Sequence, residues 1–138
     1  MRTPLILLAP LLLAGCVDQA ASYASDGNDR ALIVHVEQER FWSDQVTLHV
    51  IASRLPDCQR QLALGTLPLG ELEIELFANG GDLYTLRAGE RQWQVETQGC
   101  TRVAAPAPAA STEPLGAFRL DDRKQLVFEP AGATAAAE

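Results

Sequence analysis

Between residues 71 and 76 the chain alternates without interruption. Glu71, Glu73 and Glu75 are acidic, and Leu72, Ile74 and Leu76 are aliphatic. A period of two matches a strand, whose successive side chains point to opposite faces, and cannot form the apolar stripe of a helix. Such a chain must build a sheet with one face in water and the other buried. The same signature recurs. Residues 31–40 (ALIVHVEQER) begin β-branched and then alternate. In residues 45–54, Val46, Leu48 and Val50 oppose Thr47, His49 and Ile51. Residues 41–44 are short enough to join these two as a hairpin. After a break at LPDC (55–58), runs at 59–65, 71–78, 82–87 and 91–97 follow, and Trp93 and Val95 share one face of the last. Asn79-Gly80-Gly81 is a hairpin turn, because these residues accept positive φ. Residues 59–97 therefore predict a four-strand antiparallel meander. A last hairpin places Phe118, Leu120, Leu126 and Phe128 at its apolar positions. The predicted fold class is all-β: a small antiparallel meander curled into a barrel-like or sandwich-like sheet, forming one domain over residues 31–129.

The flanks read differently. Arg2 precedes an almost purely aliphatic run over residues 4–13. About 10 apolar residues are too few to cross a bilayer, which takes roughly 20. A charged start, a short apolar run and then small residues make a secretory signal peptide. Leu13-Ala14-Gly15-Cys16 resembles the lipobox of bacterial lipoproteins at all four positions. The resemblance implies a signal peptide at 1–15, cleavage before Cys16 and a diacylglyceryl group on its sulfur, with further acylation of the new amino terminus. Only a thiolate is nucleophilic enough to take the lipid as a thioether. No polybasic patch is present, so two or three acyl chains would hold the protein alone. The residue after the cysteine is Val17, whereas aspartate at that place retains many such lipoproteins in the inner membrane. The resemblance thus implies a protein anchored in the outer membrane, facing the periplasm, and it covers the first 16 residues only. Residues 16–30, small and polar with a Gly-Asn turn signal, predict a lipidated flexible tether. Residues 104–114, rich in proline and alanine, predict an exposed loop, and 130–138 a disordered tail.

Export would place Cys58 and Cys100 in an oxidising compartment, where two remaining cysteines pair. A metal site would want further ligands near by, and neither cysteine has a histidine within a few residues. The bridge closes a 43-residue loop, a stabilisation of about 4 kcal/mol on the chain-entropy estimate. In a flat meander the first and fourth strands stand about 14 Å apart, beyond the ~7 Å reach of a disulfide. Either the sheet curls, or the segments holding the cysteines reach over its end.

Candidate chemistry is sparse. The formal charge of −7 becomes −8 once Arg2 is removed with residues 1–15. That argues against nucleic acid as a partner and weakly favours a basic one. His35 and His49 fall on neighbouring strands. They stand directly opposite each other if the loop has three residues and on different faces if it has two, with Glu37 or Thr47 near by, and are weak candidates for a metal pair. Glu71, Glu73 and Glu75 put three carboxylates on one strand face, compatible with calcium or acid–base chemistry. Alternation alone already accounts for them as a solvated face. Ser43 and Ser53 lack a nucleophile-elbow setting. Phe41 and Trp42 sit at a hairpin tip, one expected to bury and the other to contact a partner. The sequence thus predicts a monomeric, non-enzymatic envelope lipoprotein with no cofactor beyond the lipid on Cys16. It would be held to the membrane by that lipid and would bind or scaffold another envelope protein. The alternative is a carrier of a small ligand or metal, with a pocket near the two histidines.

Overall fold

The computed structural model describes residues 17–25, 29–104 and 113–132. The expected signal peptide 1–15, Cys16, most of the 104–114 loop and residues 133–138 of the expected tail lie outside them. Strands β1 (Asp18–Ser25), β2 (Arg30–Glu37), β3 (Gln45–Arg54) and β4 (Cys58–Pro68) form one antiparallel sheet in the order β1-β2-β3-β4. A 3-10 turn at Leu69–Glu71 leads to the second sheet. Its strands are β5 (Glu73–Ala78), β6 (Leu83–Ala88), β7 (Arg91–Glu96), β8 (Thr101–Val103), β9 (Gly116–Leu120) and β10 (Leu126–Pro130), ordered β10-β9-β5-β6-β7-β8.

Alternation decides which face each strand buries. Leu32, Val34 and Val36 of β2 and Val46, Leu48 and Val50 of β3 point to the second sheet. Ile74, Leu76, Leu86, Trp93, Val95 and Phe118 point back, and all belong to one core cluster. Burying each large aliphatic side chain stabilises the fold by about 1.5–3 kcal/mol. The second sheet also buries a row on its other face. Phe77 pairs with Thr85 and Thr85 with Gln94, with the Arg87 guanidinium 4.7 Å from the centre of the Phe77 ring.

The sheets meet at both margins without a shared ladder, so the molecule is sandwich-like and is not closed into a barrel. Where β1 nears β10, Tyr23 packs edge-on against Phe128 at 5.3 Å and Tyr84 at 6.1 Å. Where β4 nears β8, Arg102 donates to the Ala63 carbonyl at 3.0 Å and Arg91 to that of Thr66. A bulge interrupts β4, since Leu48 pairs with Gly65 but His49 with Ala63. Gly65 sits there at φ +122°, and an added methyl would lie 2.9 Å from the Arg91 guanidinium, so glycine is required.

Three expectations need correction. Most of the predicted tether is a strand: β1 pairs with β2 from Asp18–Glu37 to Ser25–Arg30. Its small side chains suffice because the backbone ladder carries the pairing, while Val17, Ala21 and Tyr23 pack on the core. The four-strand meander is split. Pro68, Gly70 and the 3-10 turn redirect the chain, so β4 pairs with β3, and only β5, β6 and β7 remain a meander. Ahead of the predicted 104–114 loop, Thr101–Val103 adds a short strand paired with β7. Pro130, expected in the tail, closes the β10 ladder opposite Gly116.

The split meander also settles the cysteine geometry. Cys58 opens β4 in the first sheet and Cys100 follows β7 in the second, with Cα atoms 6.0 Å apart in a disulfide. The bridge staples one sheet to the other at one end of the sandwich. At the same end Asp82, in the β5–β6 turn, pairs with Arg30 of β2 and, at 3.3 Å, with Arg54 of β3. Replacing both cysteines (Cys58→Ser/Cys100→Ser) should lower unfolding free energy by about 4 kcal/mol in urea titrations. A loss below about 1 kcal/mol would mean that packing alone fixes the sheets.

Candidate functional site

The end of the sandwich opposite the disulfide carries the most unusual surface. β2 stops at Glu37 and β3 starts at Gln45, leaving a seven-residue loop, longer than the sequence suggested. At its tip both Phe41 and Trp42 are exposed, by 62% and 67%. They pack edge-on with ring centres 4.8 Å apart, and the Arg40 guanidinium lies 5.8 Å from the Trp42 ring centre. The expectation that one of them buries is therefore corrected. The core margin beneath the loop is filled by Val36 and Val46, and neither ring packs on it.

Gln38 organises this end. It is 6% exposed, an uncommon setting for a glutamine. Its backbone N–H donates to the Val17 carbonyl at 2.6 Å, and its Oε1 accepts from the Val17 N–H at 3.2 Å. Its Nε2 donates to the Ser43 carbonyl and, at 3.5 Å, to that of Phe41. One side chain thus ties the start of the described chain to both sides of the aromatic tip. Val17 itself is 8% exposed and part of the core. Nothing in the run EQER marks Gln38 for this role, and a lone valine after a cysteine carries no periodicity, so the sequence held no signal for either.

His35 and His49 do stand opposite each other, on the outer face of the first sheet. Their rings stack at 6.1 Å and 27°. His35 Nε2 is 2.6 Å from Asp18 Oδ1, and the buried His49 Nδ1 has no hydrogen-bond partner among the described residues. Among the described residues no group of three or more His, Cys, Asp or Glu could hold a metal ion. An open cleft of about 890 Å³ lies elsewhere, lined among others by Glu71, Glu73, Glu75, Glu90, Arg91 and Arg119 and by neither histidine. The three carboxylates do not share a strand face as expected. Glu71 belongs to the 3-10 turn, and Glu75 is paired with Arg87 at 2.9 Å. Ser43 instead accepts from the Gln45 N–H at 3.2 Å, a local turn bond, while Ser53 is buried on β3. Comparison with protein families, curated proteins and solved structures finds no match for this chain.

The turn that delivers Cys100 has its own support. Cys100 adopts φ +56°, uncommon for a residue with a Cβ. Glu96 accepts from the Thr101 hydroxyl at 2.5 Å, the Gly99 N–H at 2.9 Å and the Thr101 N–H at 3.2 Å. These bonds hold its carboxyl below the usual range, the Thr101 hydroxyl most strongly; partial burial opposes them, and the amides of Gly99, Gln98 and Thr101 assist. A carboxyl depressed in the folded state contributes stability above its unfolded value and loses it as pH falls through its folded value. Glu96→Gln should therefore cost about 1 kcal/mol at pH 7, a modest figure for a partly solvated group. The gap between wild type and variant should close as pH drops below 4.5, the ordinary value. Melting curves across pH 3–7 check this; a constant gap would contradict it.

Proposed function

We propose that the protein is a non-enzymatic, lipid-anchored component of a bacterial cell envelope, whose disulfide-bonded sandwich binds or scaffolds another envelope component. The observation that carries this reading is the junction at Val17. Cys16, in its lipobox-like setting, is one peptide bond from a residue packed in the core and clamped by Gln38. Acyl chains at that sulfur would hold a folded domain directly against a bilayer. The disulfide between Cys58 and Cys100 suits an oxidising compartment such as the periplasm. Val17 after the cysteine favours the outer membrane. A second reading, a carrier of a small charged ligand, draws on the open cleft with its mixed lining of glutamates and arginines.

Labelling with a fatty-acid probe should succeed for wild type and vanish for Cys16→Ala, and the labelled protein should partition with membranes. Label that persists in the variant, or wild type that starts at Met1 and stays in the aqueous phase, would refute the anchor. Crosslinking in intact cells should then recover one discrete envelope protein; saturable uptake of a small ligand without such a product would favour the carrier.

A further inference from the structure

We propose that the Phe41–Trp42 tip is itself a membrane contact, seated in the bilayer interface beside the lipid on Cys16, so that the sandwich stands in one orientation with its disulfide end outward. The inference rests on the lipid-anchor reading and adds a second point of attachment to it.

Three observations meet at this end. The two rings are exposed side by side, with centres 4.8 Å apart. A tryptophan with an adjacent apolar ring suits the interfacial layer, where an amphipathic indole gains from both phases. Second, the tip is tied to the anchor site. Gln38 bonds Val17 on one side and Ser43 and Phe41 on the other. Cys16 precedes Val17 at the fixed ~3.8 Å Cα spacing, the hydrogen-bonded pair Val17 and Gln38 adds about 5.5 Å, and Gln38 to Phe41 spans at most ~10 Å, so the backbone at the tip and at the anchor residue lies within roughly 20 Å. A group attached at Cys16 that enters a bilayer brings the tip to the same surface. Third, the segment between them is not a leash. β1 is paired along its whole length with β2, and His35 holds Asp18 at 2.6 Å. The domain therefore cannot swing away from its anchor as a tethered one would.

Charge selects the kind of surface. Glu37, Glu39 and Asp44, all exposed, surround the tip, and Arg40 is the cation beside it. Attraction to anionic lipid cannot drive the contact; burial of the two rings can. Binding should thus be similar on zwitterionic and on anionic vesicles and insensitive to salt.

The test uses the native acylated protein in protein-free phosphatidylcholine vesicles. Trp42 emission is isolated as the difference between wild type and Trp42→Phe, an exposed change that leaves the buried Trp93 as the common background. Lipids with a shallow spin label should quench Trp42 at least threefold more than lipids labelled near the chain end. Acrylamide should reach it at least threefold less well than it reaches a free tryptophan amide. Phe41→Ser/Trp42→Ser should melt like wild type and still float with vesicles, yet the disulfide end should no longer hold one distance from the bilayer by energy transfer. Protein that floats while Trp42 stays fully open to acrylamide overturns the inference and leaves the anchor standing. Protection of Trp42 only in native membranes would assign the tip to a protein partner and equally overturn it. Protein that does not float at all overturns both.

Discussion

Two half-wet sheets, each unable to bury its apolar face alone, lean on each other, and everything else in the molecule adapts to that contact. The alternating strands β2, β3, β5 and β6 supply its substance. A sandwich of this size is only marginally stabilised by its core, and the remaining devices all resist separation of its layers. The disulfide joins β4 to the turn after β7, Asp82 of one layer takes Arg30 and Arg54 of the other, and Glu96 holds the turn from which Cys100 reaches across. These crosslinks gather at one end. The opposite end, with the 3-10 turn, Gln38 and the aromatic loop, is joined by hydrogen bonds and by the packing of Val17, Leu67 and Leu72 on the core.

Much of this was legible from residue order. Period-two alternation revealed β2, β3 and β5, and positive-φ turn chemistry placed the bend at Gly80 and Gly81, which adopt φ +89° and +59°. Phe118, Leu120, Leu126 and Phe128 were identified as the apolar positions of the last hairpin, and the first and third are buried. What escaped notice follows from physics that periodicity does not encode. β1 is nearly all small residues, because an edge strand can rely on its neighbour's backbone. The assignment of β4 to the first sheet depends on a three-residue turn, a local event with consequences across the molecule. Phe77 breaks the wet-out rule of its strand, and only the lateral neighbours Thr85 and Gln94, remote in sequence, form the row around it.

The polar site residues were the least legible. An odd loop could put His35 and His49 on one face, yet the register that sets them directly opposite and the stacking of their rings lay beyond it. Gln38 gives no compositional sign of its three partners. A buried side-chain amide with donors and an acceptor satisfied by main chain at two loop positions is a tertiary feature. It makes the geometry of the amino-terminal end as definite as that of the stapled end.

One detail at the β4 margin reaches beyond the single molecule. An outermost strand offers a row of free carbonyls and amides on which a stranger's strand can grow. Along β4, Arg91 and Arg102 reach over from the other layer and occupy the oxygens of Thr66 and Ala63, and the Gly65 bulge bends the strand out of flatness between them. An incoming β-segment would find those acceptors taken and its path crooked. The same two arginines that seam the sandwich thereby guard it against templated polymerisation.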